Sequence, residues 1–413
     1  MRSLNLFEQA ECLVDSAAKG NLNFSIVSTY TGKLDSKTVQ MGLKHLQQMH
    51  PLLRMSPNIA EKITAFIETC PEVPFKEFHY EGKEQWKFVV KKELAPRFNK
   101  IDQPLWRVCL LKGENEGQLI VTFHHAIADG VCAMRMMNHL FQILAQLIKG
   151  QMPHIIEFNT PIPDIHSLYS LTSEEPMDDS PIALKEEKGL HQDFTTHIVE
   201  EEITKKIIEW SKSSKVKVHA ILFAAFLMAV RYVLKPDFDK FNAITVVNYR
   251  SSFIPAFSNQ VLTLMRTLIS EEFAVSETSQ LKALSQAINK SVHSQLDAGK
   301  HVLNLKVLEK RLSRNISPEE LLQRCKLPAH AVAQTNLGAM EFSGDYPDSP
   351  LRLDELFFFA DATPFFEEKT NLVLGTLSFR QKIFLCLWFL EELVGESEAK
   401  AILLKMKEIL STI

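Results

Sequence analysis

The chain has 413 residues, 46% of them apolar, more than one hydrophobic core ordinarily organises, so two lobes with a cleft between them are predicted. Its 46 basic and 50 acidic side chains leave a formal charge of -4, which excludes a basic footprint for nucleic acid and a strong field toward membranes. The six cysteines (Cys12, Cys70, Cys109, Cys132, Cys325 and Cys386) are too scattered for a zinc or redox dithiol pair and are expected to be buried free thiols.

The first fifteen residues carry charges where a signal peptide needs an apolar run, and a cytoplasmic location is expected by default. Asp35 or Ser36 caps a predicted helix bearing Val39, Leu43, Leu46 and Met49 at spacings of three and four, and Pro51 stops it. Strands are predicted over Gln85–Lys92, Trp106–Gly113 and Leu119–Phe123, the last two forming a hairpin. The segment HHAIADG (His124–Gly130) follows, and then an amphipathic helix bearing Met134, Met137, Leu140, Phe141 and Leu144 that ends at Gly150.

Between Gln151 and Asp193 the pattern dissolves into prolines, serines and the acidic run Ser173–Pro181, read as a crossover linker. The lobes are therefore drawn at 1–165 and 196–413, with the linker at 166–195. Beyond it, helices are predicted over Glu201–Lys212, Val218–Leu234 and Glu277–Leu296. Strands are predicted at Ile244–Arg250, Val261–Ser270, His330–Gly338, Leu353–Ala360, Asn371–Phe379 and Lys382–Leu390, with a closing helix at Glu396–Leu410. The most apolar run, Ala220–Val230, is too short for a bilayer crossing of about 20 residues and reads as a buried helix, so no transmembrane segment is expected.

Four fixed positions in the pattern H-H-x-x-x-D-G arise by chance in such a chain with a probability of roughly one in two thousand. An isolated His-His pair is usually a hydrogen-bonded core feature, but here an apolar strand delivers the pair to its carboxyl end, where open sheets commonly place reacting groups. A thioester meeting an alcohol or amine needs a base to take the acceptor's proton and donors to hold the oxyanion. His125 suits the first task, and no metal or organic cofactor is required. Asp129 lies close enough to orient the imidazole, but an aspartate beside a glycine equally ties a loop to a distant arginine. A metal site would lack its third and fourth ligands.

HHAIADG resembles the HHxxxDG signature of the superfamily that contains chloramphenicol acetyltransferase, hydroxyl acyltransferases, nonribosomal-peptide condensation domains and phthiocerol dimycocerosyl transferases. His50–Arg54 (HPLLR), Lys215–Leu227, Asn248-Tyr249-Arg250 and Thr335–Gly338 are similar to its further landmarks, in the same order along nearly the whole chain. The resemblance implies an α/β fold of two chloramphenicol acetyltransferase-like sandwich lobes with an active-site channel between them. It implies that His125 is the general base, that Asp129 pairs with Arg250, that His124 and Gly130 shape the turn, and that Asn336 lies near the channel.

Cys132 stands where many condensation domains have a serine, and the DFGWG segment of plant-type enzymes has no counterpart; the region reads FADATPFF. Cys132 and Met134 join Asn336 as candidates for the channel wall, although helix packing accounts equally for Met134, Met136 and Met137. Phe-rich Leu356–Ala360 suits either an acyl contact or the core. Lys212, Lys215 and Lys217 suit either a phosphate or carrier-protein contact or a solvated face.

The expected function is acyl transfer from an acyl-CoA or acyl carrier protein thioester to an alcohol, giving an ester, by a monomer without cofactors. Alternatives are an amide-forming condensation enzyme with an amine acceptor, and an inactive carrier-protein-binding scaffold.

Overall fold

The computed structural model describes residues 2–18, 22–58, 65–68, 72–98, 103–171, 190–366 and 371–413. The first half runs β1 (Arg2–Ser3), α1 (Leu6–Ala17), β2 (Asn23–Thr31), α2 (Ser36–Met49), β3 (Met55–Pro57), β4 (Ala65–Glu68), β5 (Phe75–His79), α3 (Gln85–Leu94), β6 (Trp106–Lys112), β7 (Glu116–His124) and α4 (Gly130–Ile148). The second half runs β8 (Gln192–Val199), α5 (Glu201–Ser214), α6 (Val218–Leu234), β9 (Lys240–Asn248), β10 (Arg266–Ala274), α7 (Leu281–Asp297), α8 (Lys300–Ser313) and α9 (Pro318–Cys325). It closes with β11 (Ala331–Ala339), β12 (Arg352–Ala360), β13 (Leu372–Phe379), β14 (Lys382–Leu390) and α10 (Glu396–Leu410).

The predicted hairpin forms: β6 and β7 pair antiparallel with Val108 opposite Val121. They lie in a five-stranded sheet of order β12-β2-β7-β6-β5, with α2 and α4 packed together at Gly42, where a Cβ would meet Leu144 Cδ2 at 2.7 Å. Asp35 caps α2 by accepting from the Thr38 N–H at 2.9 Å, as its sequence position predicts. The second sheet has six strands in the order β10-β9-β11-β13-β14-β8. One face packs on α6, whose Ala220–Leu227 are all buried, and on Ile402 and Met406 of α10. The other face turns Ile244, Ala333, Val373 and Trp388 toward the core of the first sheet. Among the described residues no single helix is long and apolar enough to cross a membrane.

Several expectations need correction. Gln85–Lys92 is helical, not a strand. Trp86, Val89, Val90, Glu93 and Leu94 are buried at the three- and four-residue spacing of a helix, whereas Phe88, the residue that made the segment look alternating, is 61% exposed. The strand β12, within 196–413, pairs antiparallel with β2, Leu356 opposite Ser28, and so completes the first sheet. The linker drawn at 166–195 overlaps two ordered elements, a 3₁₀ turn at Ile165–Leu171 and the start of β8. Its acidic run, 173–181, lies outside the described residues, as does Cys70. Cys109, Cys132 and Cys386 are buried free thiols and Cys12 is also buried, but Cys325 is only partly buried.

Burial also leaves a mark on acid stability. Desolvation pushes His50 and His125 down to about 3 and His139 and His219 down to about 4, helped by the neighbouring charges of His139, Arg266, Arg135 and His293 respectively. These imidazoles stay neutral in the fold while the unfolded chain protonates near pH ~6.5. Folded pKa values below unfolded ones mean stability that is full above that pH and falls as the pH drops toward 4. The slope approaches about 1.4 kcal/mol per pH unit for each histidine charged only in the unfolded chain. Urea midpoints measured from pH 7 to 4 should fall steadily; a flat or rising series would show that these groups titrate normally.

Candidate active site

The site is built where β7 ends. His124 pairs across to Asn23 of β2, and its backbone N–H donates to the Leu105 carbonyl at 2.9 Å. Its ring faces away from the cavity described below. Nδ1 accepts from the Ala126 N–H at 3.0 Å, which leaves the proton on Nε2, and Nε2 lies 3.2 Å from Asp15 Oδ1. The turn packs against α1 at this point.

His125 opens a short 3₁₀ turn, His125–Ile127, with its ring 4.5 Å from that of Phe24. Ring Nδ1 lies 3.2 Å from the Ala128 carbonyl, which only accepts, so Nδ1 carries the proton and Nε2 is the lone-pair nitrogen. Burial, and after it the Arg266 charge, push the imidazole down to about 3, against the weaker opposing pull of Ala128 and Asp129. A neutral base of fixed tautomer results.

Asp129 does not touch His125. It caps α4, its Oδ1 accepting from the N–H groups of Val131 and Cys132, both at 3.1 Å. Its Oδ2 accepts from Arg250 Nη1 at 2.5 Å and from the Met265 N–H at 3.0 Å. Arg250 Nη2 in turn donates to the Thr263 carbonyl at 2.9 Å. Burial alone would raise the Asp129 carboxyl, but the Arg250 guanidinium and the N–H donors outweigh it and hold the group below the ordinary carboxylate range. The pair joins the start of α4 to the segment leading into β10.

A cavity of about 570 Å³ lies between the two sheets and is lined by His125, Gly130, Arg266, Asn336 and Phe358. Asn336 Oδ1 accepts from the Gly338 N–H at 2.7 Å, so this side chain holds a turn as well as lining the wall. Phe358 and Ala360 line the cavity, whereas Phe357 and Phe359 pack on Trp86, so the Phe-rich strand serves both cavity and core by its period of two. Gly130 is favoured by close approach: a Cβ there would meet Leu337 Cδ2 at 2.8 Å and Phe358 Cε2 at 3.2 Å. Gly130→Ala is therefore expected to cost about 1–3 kcal/mol through overpacking; an unchanged urea midpoint would show that Leu337 yields freely.

Two candidates do not line the cavity. Cys132 is fully buried, its Sγ 3.4 Å from the carbonyls of Asp129 and Thr263, either of which can accept its one S–H, and burial pushes the thiol up to about 12. Met134 sits further along α4 and is 1% exposed in the core, as Met136 and Met137 also are buried. Lys212, Lys215 and Lys217 are exposed and lie outside the cavity lining. Conversely, Glu11, Arg266 and the clamp at Thr263–Met265 escaped the sequence reading. Asn5 Nδ2 donates to Thr263 Oγ1 and to the Leu264 carbonyl, both at 3.0 Å, contacts between residues 258 and 259 apart in sequence that carry no local signature. Among the described residues no group of three or more His, Cys, Asp or Glu is arranged to hold a metal ion.

Residues 16–160 match the family described as condensation domain, and residues 191–349 match the phthiocerol/phthiodiolone dimycocerosyl transferase C-terminus. The chain belongs to the chloramphenicol acetyltransferase-like condensation and acyltransferase superfamily. Solved members of this fold superpose along its whole length. Polyketide synthase associated protein 5 from Mycobacterium tuberculosis is 13% identical with a TM-score of 0.66, covering 99% of both chains. Trichothecene 15-O-acetyltransferase from Fusarium sporotrichioides is 14% identical with a TM-score of 0.72, over 99% of this chain and 95% of that one. The starter condensation domain of rhizomide synthetase, a double mutant crystallised with C8-CoA and Leu-SNAC, is 12% identical with a TM-score of 0.69, over 100% and 94%.

Two curated proteins also match in sequence. Bacitracin synthase 1 of Bacillus licheniformis is 26% identical over 137 residues, 30% of this chain, and nonribosomal peptide synthetase kk1B of Curvularia clavata is 28% identical over 160 residues, 35% of this chain. The matched segments span 3% and 1% of those relatives' lengths.

Proposed function

We propose that this chain transfers an acyl group from a thioester, carried by coenzyme A or a protein-bound phosphopantetheine, to an alcohol, releasing an ester and a free thiol. The observation that carries the proposal is the neutral His125 in the cavity wall, its tautomer fixed by Ala128. The acceptor oxygen attacks the thioester carbonyl while His125 Nε2 takes the hydroxyl proton; the C–S bond then breaks and the same proton passes to the departing sulfur. A base of such low proton affinity is a poor proton reservoir, so proton uptake accompanies C–O bond formation, when the hydroxyl has become acidic. The resulting imidazolium is a strong acid, suited to the second half of the cycle.

The match of residues 191–349 to the phthiocerol/phthiodiolone dimycocerosyl transferase C-terminus supports the alcohol acceptor. The match of residues 16–160 to the condensation domain favours a second reading, amide formation with an amine. His125 and Asn336 meet in one cavity within one chain, which supports action as a monomer. The test incubates the protein with a panel of acyl-CoA donors and either medium-chain alcohols or amines, following free thiol and identifying the product by mass. Ester with thiol supports the first reading and amide the second. Carrier binding without turnover in either panel, or with carrier-bound donors, supports the scaffold alternative.

A further inference from the structure

Glu11 and Arg266 form a polar feature in the wall of the cavity that the proposed transfer does not use. Glu11 projects from α1 and Arg266 begins β10; both line the cavity that His125 lines. Arg266 Nη2 donates to Glu11 Oε1 at 2.6 Å, which fixes the carboxylate and leaves the pair with no net charge. The other oxygen, Oε2, is buried without a hydrogen-bond partner, and Glu11 as a whole is only 7% exposed. Buried polar groups in native structures are almost always paired, and each unpaired one calls for an explanation, of which a bound ligand or water is one for a residue in a cavity wall. An ammonium gains little from a neutralised pair. A neutral O–H or N–H donor needs only the lone pairs that Oε2 presents.

We infer that Glu11 is a specificity-determining residue whose Oε2 accepts a hydrogen bond from a neutral donor on a bound substrate. This rests on the transfer reading only in taking the cavity's occupants to be acceptor alcohol and acyl thioester. Two sources present the same chemistry: a second hydroxyl on the acceptor, and an amide N–H of the pantetheine-like arm of the donor.

The test compares matched pairs that differ in one hydrogen-bond donor. On the acceptor side these are 1,2-octanediol and 2-methoxy-1-octanol, with 1,3- and 1,4-diols and their ethers beside them. On the donor side they are the octanoyl thioesters of N-acetylcysteamine and of 2-acetoxyethanethiol, where an ester oxygen replaces the amide N–H. Loss of a hydrogen bond to a charged acceptor is expected to lower kcat/KM roughly 10- to 100-fold in the arm that Glu11 reads. Glu11→Gln keeps its carbonyl toward Arg266 and turns an N–H₂ where Oε2 stood, so the discrimination in that arm should collapse while the other arm is unmoved.

Wild-type protein that treats both pairs alike, or Glu11→Gln that keeps the discrimination, overturns the inference. If no thioester turns over, the same compounds are tested for thermal stabilisation of wild type, His125→Ala and Glu11→Gln. Stabilisation that needs both the donor hydrogen and Glu11 keeps this inference while the transfer reading fails; stabilisation indifferent to either, or none at all, ends it.

Discussion

Replacing His125 with alanine is expected to slow thioester-dependent transfer by about 10²- to 10⁴-fold, the usual worth of a positioned base. The urea midpoint should hardly move, because the ring's polar contact is to the Ala128 carbonyl and its neutral form carries no buried charge to strand. The pH dependence of wild type sharpens the test. The base is competent when neutral, and its pKa is held near 3, so no loss of rate from protonation of this group should appear between pH 8 and 5. Near-normal turnover in His125→Ala removes His125 from the mechanism, and a wild-type rate that falls with an apparent pKa near ~6.5 shows an imidazole less desolvated than the geometry implies.

Asp129→Ala is expected to be the more damaging change to the fold, costing about 3–5 kcal/mol, because it leaves the Arg250 guanidinium, 2% exposed, without its counter-charge. The Thr263 carbonyl remains as a partner but carries no charge. Two further losses add to it: the cap of α4 and the acceptor for the Met265 N–H. Asp129→Asn should be milder in capping yet still strand the guanidinium. Combining Asp129→Ala with Arg250→Met should cost less than the sum of the single changes, since the second removes the charge that the first exposes. Additive effects, or a single variant as stable as wild type, would mean that the pair does not hold the start of α4 to the segment before β10.

What the sequence disclosed follows from how local each signal is. HHAIADG was legible because strand, turn and helix cap lie within one continuous segment, and Val218–Leu234 and Glu396–Leu410 because long apolar periodicity leaves little choice. The strand expected over Gln85–Lys92 is a helix because, although Trp86, Phe88 and Val90 alternate as a strand would, tertiary packing turns Phe88 outward. Cys132 and Met134 were placed in the cavity wall for their nearness to His125 in sequence. Helix geometry instead gives the wall to Gly130 and Val131 and turns the later residues inward. Glu11 was invisible for a different reason: its partner, Arg266, lies in the other half of the chain, and no spacing rule links the two.

The strand β12 carries a consequence for synthesis. Until residues 352–360 leave the ribosome, β2 has β7 on one side and a bare row of N–H and C=O groups on the other, an invitation to pair with a neighbouring nascent chain. Leu356 must find Ser28 across most of the chain's length, a closure that comes late and slowly. The N-terminal half expressed alone would therefore be short of one strand of its own sheet, and a segment spanning β12 supplied in trans is what should rescue it from aggregation.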